Sequence, residues 1–183
     1  MVEAAKILER VSPLADQKTV SFGLLPPMTR LSARGGAEAA LRFSRAFGTS
    51  LSADALKATQ AGDRAALWLG PDEWLLIAPL DDRLAGSIEG GLAGEPGCIV
   101  DISHRQVGIE VTGTAATEVL NAGCPLDLDL AAFPVGMCTR TVLAKADVVL
   151  WRLAPDHFRL ECWRSFAPYC FDFLKQAADD CGC

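Results

Sequence analysis

Apolar positions along the chain fall into two alternating rhythms. Ala39, Ala40, Phe43, Ala46 and Phe47 recur at helical spacing and predict an amphipathic helix from Gly36 to about Phe47. The apolar runs Ala65–Leu69 and Trp74–Ala78 flank Pro71-Asp72 and predict a β-hairpin. A strand near Leu31–Arg34 precedes that helix, and a helix near Asp82–Leu92 follows the hairpin. The second half of the chain repeats the succession. A strand is expected at Val107–Thr112 and a helix from Thr114 to Ala122. Strands near Cys138–Leu143, Val148–Leu153 and Phe158–Cys162 come next, then a closing helix over about Phe166–Ala178.

The two halves also match residue by residue. Pro71, Asp72, Trp74 and Leu76 correspond to Pro155, Asp156, Phe158 and Leu160 at an offset of 84 residues. Upstream, Gly36, Ala39, Phe43, Leu51 and Ala55 correspond to Gly113, Ala116, Leu120, Leu128 and Ala132 at an offset of 77. The difference places an extra turn or loop in the second copy before its hairpin. The pattern predicts an α+β fold with an internal duplication of a βαββα-like unit and two mixed or antiparallel sheets. The expected parsing is an N-terminal arm (1–30), a first repeat (31–92), a connector (93–106), a second repeat (107–178) and a frayed tail (179–183), compact as one domain overall. Gly86, Gly90, Gly91, Gly94 and Gly97 with Pro96 mark 86–97 as a hinge. A duplicated unit with a pseudo-twofold axis places either a ligand or another subunit at its joint.

Composition narrows the choice. Half of the 183 residues are hydrophobic, enough to bury a core and, in a soluble chain, an interface. No apolar run reaches the roughly 18 residues that span a bilayer, and Val2-Glu3-Ala4-Ala5-Lys6 is not a signal peptide. A net charge of −6 without a basic stripe argues against a nucleic-acid partner. Seven cysteines without a C-x-x-C pair read as reduced, mostly buried thiols in a cytoplasm, with the tail pair Cys181 and Cys183 reacting fastest. That tail lacks the remaining ligands of a zinc site, so no metal is expected.

Candidate chemistry is sparse. Asp101-Ile102-Ser103-His104-Arg105-Gln106 contains the residue types of a triad, but neighbours on one loop cannot orient one another in series, and loop capping is favoured. His157 sits at the second hairpin tip, opposite Glu73 of the first, and reads as a solvated turn residue. Asp127 and Asp129 alternate with Leu126, Leu128 and Leu130 and are expected on the wet face of an edge strand. Trp68 and Trp151 occupy equivalent strands and read as core, while Trp74 and Trp163 read as interface candidates. Neither Gly35-Gly36 nor Gly90-Gly91 has the context of a phosphate-binding loop. No catalytic residue is expected.

Several stretches resemble a known family. They are Asp101–Gln106, Leu120-Asn121-Ala122-Gly123-Cys124-Pro125-Leu126-Asp127-Leu128, Gly136-Met137-Cys138-Thr139-Arg140-Thr141, Val149-Leu150-Trp151-Arg152 and Trp163-Arg164-Ser165-Phe166-Ala167, with Arg10-Val11-Ser12-Pro13-Leu14 and Leu67–Leu76 upstream. Together they resemble the gamma subunit of heterotetrameric sarcosine oxidase. The resemblance implies a bacterial cytoplasmic complex of alpha, beta, gamma and delta chains that oxidises sarcosine to glycine, forms peroxide and passes the one-carbon unit to tetrahydrofolate. It implies FAD, FMN, NAD and tetrahydrofolate on the partner subunits, zinc on delta, no cofactor on this chain, and alpha as its main contact. The gamma fold is in turn similar to the folate-binding domain of glycine-cleavage aminomethyltransferase. That second likeness sets Asp127 at a folate-serving aspartate, although Pro125-Leu126 replaces the Asn that precedes it in that family. The alternative reading is a stand-alone folate-binding protein of one-carbon transfer.

Overall fold

A computed structural model describes residues 19–183. In chain order the elements are β1 (Ser21–Leu24), β2 (Thr29–Gly35), α1 (Ala37–Phe47), β3 (Ala58–Ala61), β4 (Arg64–Gly70), β5 (Glu73–Ala78), α2 (Leu84–Gly91) and β6 (Gly97–Asp101). They continue with β7 (Gln106–Thr112), α3 (Ala116–Asn121), β8 (Cys138–Leu143), β9 (Ala146–Ala154), β10 (His157–Trp163) and α4 (Ala167–Cys181). Two compact units result. The N-terminal unit comprises Pro27–Gln106 with Gly136–Thr139, and the C-terminal unit comprises 19–26, Val107–Val135 and Arg140–Cys183.

The N-terminal unit is built on a five-stranded sheet of order β3-β4-β5-β2-β6, antiparallel throughout. The expected stripe of α1 is real: Ala39, Ala40, Phe43 and Phe47 are buried with Leu31, Ala33, Leu76 and Ala78 of the sheet and Leu84, Ile88 and Leu92 from α2 and its end. Every residue of β5 is buried. That burial overturns the interface reading of Trp74, which is core and donates its indole N–H to the Ser52 carbonyl at 2.8 Å.

The C-terminal unit has a five-stranded sheet of order β1-β7-β10-β9-β8, with β1–β7 and β9–β10 antiparallel. Read from β8, its order matches that of the other sheet strand for strand. The hairpins share a register and a bulge: Trp68 faces Trp74 and Gly70 faces Glu73, as Arg152 faces Phe158 and Ala154 faces His157. The Gly35 N–H reaches the Asp72 carbonyl at 3.0 Å, and the Gly113 N–H reaches the Asp156 carbonyl at 2.9 Å. This pairs Gly113 with Gly35, one residue from the upstream alignment read in the sequence. The outer strands are exchanged along the chain. β1 runs into β2 but pairs with β7, and β6 precedes β7 but pairs with β2.

Three expectations change. The arm over 1–30 holds strand β1 and the start of β2, while its first 18 residues lie outside the described residues. The hinge over 86–97 is α2 as far as Gly91, and the connector over 93–106 carries strand β6. The tail is ordered helix as far as Cys181. Gly182 takes a left-handed φ of 71°, so the Gly182 N–H bonds the Asp179 carbonyl at 3.2 Å and the Cys183 N–H bonds the Ala178 carbonyl at 3.0 Å. These two bonds form a glycine-terminated C-cap.

Candidate functional site

The Arg152 guanidinium, on β9 of the C-terminal unit and 1% exposed, is a densely bonded buried cation. Its Nη1 donates to the carbonyls of Leu128 (3.0 Å) and Phe133 (2.6 Å). Its Nε and Nη2 donate to the Pro155 carbonyl at 3.2 and 2.6 Å, and Nη2 also reaches Thr117 Oγ1 at 3.3 Å. The guanidinium lies over the Phe158 ring, 4.6 Å from its centroid. Burial lowers the Arg152 pKa, and the nearby carboxylates of Asp129 and Asp156 oppose that shift. A buried cation is tolerated where hydrogen bonds satisfy it, and here the carbonyls it binds belong to the extra loop and to the hairpin turn. Arg152 therefore fastens that loop to the hairpin.

Asp127 lies in this loop. The expected edge strand is absent: 122–137 contains no strand, and Asp127 and Asp129 are exposed turn-formers. Asp127 Oδ1 accepts the Asp129 N–H at 2.9 Å, and Asp129 Oδ1 accepts the Ala131 N–H at 2.9 Å. Short polar side chains that bond their own backbone two residues on compete with strand formation. Asn121 closes the loop from the other end, its amide donating to the Leu126 carbonyl at 2.6 Å.

The Asp101–Gln106 hexapeptide is a turn of the same kind. Asp101 Oδ1 accepts the Ser103 N–H at 2.8 Å, and Ser103 Oγ accepts the Arg30 N–H at 2.9 Å. His104 points to solvent. His157 differs from its solvated reading: it is half-buried, and its Nε2 lies 2.8 Å from Glu110 Oε1. On the following strand positions Arg159 and Glu161 form a buried pair, with Nε and Nη2 at 2.8 and 2.7 Å from one carboxylate oxygen. Trp151 is buried and Trp68 half-buried, while Trp163 is 45% exposed and stacks on Phe166 with ring centroids 5.9 Å apart. Tyr169 adds a third exposed ring to that surface.

A cavity of about 510 Å³ opens in the N-terminal unit between Ala46, Arg64, Asp81, Asp82, Arg83, Leu84 and Ser87. Arg64 is already committed there, donating to the Phe47 carbonyl at 2.5 Å and lying over the Phe47 ring. Neither histidine nor Asp127 lines it. Among the described residues no three His, Cys, Asp or Glu side chains are grouped to hold a metal ion. The carboxylates singled out from the sequence shape turns, the buried Arg159 and Glu161 neutralise one another, and the buried Arg152 is satisfied by backbone carbonyls. Sequence reading missed Arg152 and the Arg159–Glu161 pair. The signal was available, because a charged residue inside Val148-Val149-Leu150-Trp151-Arg152-Leu153 has to find buried partners.

Known proteins are similar to this chain in sequence and fold. The profile of the "Sarcosine oxidase, gamma subunit family" matches residues 32–180. The chain belongs to that family. It is 31% identical to the sarcosine oxidase subunit gamma of Corynebacterium sp. (strain U-96) over 170 residues, which are 91% of this chain and 83% of that one. It is 42% identical to the corresponding subunit from Arthrobacter sp. over 111 residues, 60% of this chain and only 55% of that subunit's length. The fold superposes with a TM-score of 0.86 and 29% identity on a chain of the heterotetrameric sarcosine oxidase from Corynebacterium sp. U-96 in complex with pyrrole 2-carboxylate, covering 93% and 89% of the two chains. The glycine cleavage system aminomethyltransferase T from Bartonella henselae is similar in fold alone, with a TM-score of 0.64 at 12% identity over 85% of this chain and 45% of that enzyme. The class is thus α+β with two antiparallel sheets, as in both of those structures.

Proposed function

We propose that this chain is the non-catalytic gamma subunit of a heterotetrameric sarcosine oxidase, and that it acts by assembly. The carrying observation is the likeness to a chain of that complex over nine-tenths of this one. Alpha, beta and delta are its partners, with alpha the main contact, and the assembled complex works in the cytoplasm. FAD, FMN, NAD and tetrahydrofolate reside on the partner subunits. The complex demethylates sarcosine to glycine, reduces oxygen to peroxide and hands the one-carbon unit to tetrahydrofolate. Supporting a structural role, the polar groups of this chain are spent on its own backbone: Arg152 on three carbonyls, Asp127 and Asp129 on turns.

The contact surface we assign is the exposed aromatic face of Trp163, Phe166 and Tyr169 at the start of α4, since aromatic rings exposed together anchor interfaces. We further infer that 31–92 and 107–178 are copies of one ancestral unit. Matching sheet orders, matching hairpin registers and the exchanged outer strands support it. Co-expression tests the assignment. Omitting this chain should leave alpha poorly soluble or the complex incomplete, with sarcosine oxidation reduced. A fully active complex lacking the chain overturns the reading. Titrating the isolated chain with tetrahydrofolate should give no saturable binding, whereas tight binding would favour a stand-alone folate protein.

A further inference from the structure

Three of the seven cysteines are open to a solute. Cys98 is exposed, Cys181 and Cys183 are half-buried, and Cys124, Cys138, Cys162 and Cys170 are buried. Cys98 belongs to the N-terminal unit, whereas Cys181 and Cys183 share one place, the C-terminal end of α4. Between them Gly182 takes φ 71° and ψ 34°. The Gly182 N–H bonds the Asp179 carbonyl at 3.2 Å, and the Cys183 N–H bonds the Ala178 carbonyl at 3.0 Å. We propose that Cys181 and Cys183 are a two-electron redox site that hydrogen peroxide closes to an intrachain disulfide, locking the end of α4.

The backbone brings the two cysteines within reach. A residue in the left-handed region mirrors a helical one, and helical geometry sets Cα atoms two residues apart at about 5.4 Å. Disulfides bridge Cα atoms about 4.4–6.8 Å apart. The cap also turns both side chains to one side. Cys181 follows Ala178 by three residues, so the two lie on one helix face. The paired bonds of Gly182 and Cys183 make the Schellman arrangement, which packs the residue after the glycine, Cys183, back toward Ala178. Ala178 is itself buried, so the thiols gather at the rim of the core, where an oxidant still reaches them. One sulfur, as its thiolate, attacks a peroxide oxygen and the O–O bond breaks. Hydroxide leaves, takes up the thiol proton as water, and that cysteine becomes a sulfenic acid. The other sulfur then attacks it, the S–O bond breaks, and the departing hydroxide takes the second thiol proton as a second water. Two thiols lose two electrons, and one peroxide becomes two waters. The oxidant is the by-product of the complex proposed above, and in that respect alone the inference rests on that reading.

The test uses the purified full chain with added peroxide, so it does not depend on assembly. After oxidation, free thiols are alkylated in denaturant and the chain is cut with trypsin without reduction. Cleavage after Lys175 releases the peptide 176–183, which holds both cysteines and no third. The expected product is this peptide unalkylated, about 2 Da lighter than its dithiol form, and returned to that form by reductant. Recovery of the peptide doubly alkylated, as two sulfinic acids, or cross-linked to the peptide bearing Cys98 would overturn the proposal. A second measurement isolates the cap. At one fixed glutathione ratio, more of 176–183 should be disulfide in the native chain than in the chain held in denaturant. Gly182→Ala puts a side chain on the left-handed residue and should bring the native value down toward the denatured one. Equal values in the native and denatured chain, or a native value that Gly182→Ala does not move, would sink the idea that the cap gathers the thiols, and the proposal with it. Failure of the chain to bind alpha would sink the subunit assignment and leave this result standing.

Discussion

At the scale of single residues, the structure spends its buried charges on holding backbone. Arg152 donates to three backbone carbonyls from a buried position, so removing it takes a donor from each of them in the interior. Arg152→Met keeps most of the volume and loses the donors. It should destabilise the chain by about 3 kcal/mol in urea unfolding. A change below about 0.5 kcal/mol would mean that the loop is held elsewhere. Cys138 makes a pH-dependent contribution with a definite sign. Burial pushes its thiol from 9.0 up to about 12, against a smaller lowering effect of a hydrogen bond with the Trp68 backbone. The folded state then keeps the proton while the unfolded chain loses it. Stability from this group is complete below pH 9 and declines as pH rises toward 12. Between pH 8.5 and 10.5, under reductant, the native chain should lose about 2 kcal/mol more than Cys138→Ala. Parallel losses in the two proteins would count against it. Cys98 is the one thiol that the sequence misplaced. It is exposed on the outer strand β6, so it should be alkylated alongside Cys181 and Cys183 within a brief pulse read by mass spectrometry.

At the scale of elements, local pattern decided what could be read. The two Pro-Asp hairpins were legible because apolar runs flank a turn that only a few residue types make. The stripe of α1 was legible because its period is unambiguous. β1, β3 and β6 were not, since each is four or five residues long, and strands so short owe their existence to the neighbour they pair with. Trp74 misled because a strand covered on both faces has no wet side, and its unbroken run Trp74-Leu75-Leu76-Ile77-Ala78 was the sign of that. Of the site residues, Asp127 was legible as a position and illegible as a geometry: alternation with leucines looked like a strand, while the Asx bonds that make it a turn depend on three-dimensional closure. Gly113 shows how one backbone position holds an element in place. Its φ is 118°, and a Cβ there would sit 2.2 Å from the Thr19 carbonyl oxygen. That same carbonyl accepts the Ala115 N–H at 3.0 Å, at the entry to α3. Gly113→Ala should cost at least about 2 kcal/mol and should deprotect the amides of Ser21–Leu24, which pair with β7. Hydrogen exchange resolves the two effects. Unchanged protection in β1 would show that the strand is held by its ladder alone.

At the scale of the whole molecule, the question is where a chain of this family meets its partners. Trp163 and Phe166 stack with planes 9° apart, so the pair presents a preformed flat surface that needs little ordering on contact. Tyr169, one turn along α4, extends it, with its hydroxyl oxygen accepting the Lys145 N–H at 3.3 Å. Trp163 is exposed at 45% and Phe166 at 36%, so shortening either ring should leave the isolated fold nearly as stable as before. In the assembly the cost should be of another order. An aromatic anchor at the centre of an interface contributes about 2 kcal/mol or more, which is about a 30-fold loss of affinity. The Trp163→Ala chain, mixed with the alpha subunit and followed by titration, should therefore bind at least tenfold more weakly while its urea midpoint barely moves. Phe166→Ala should fall between the two, because the remaining indole loses its stacking partner but not its exposure. A charge in the other unit supplies the control: Glu38 and Arg42 pair on the exposed side of α1 at 3.1 Å, and Glu38→Ala should leave alpha binding unchanged. If Trp163→Ala binds alpha as the native chain does, the aromatic face is not the contact, and the exposed edge of β6 with Val100 becomes the next surface to probe.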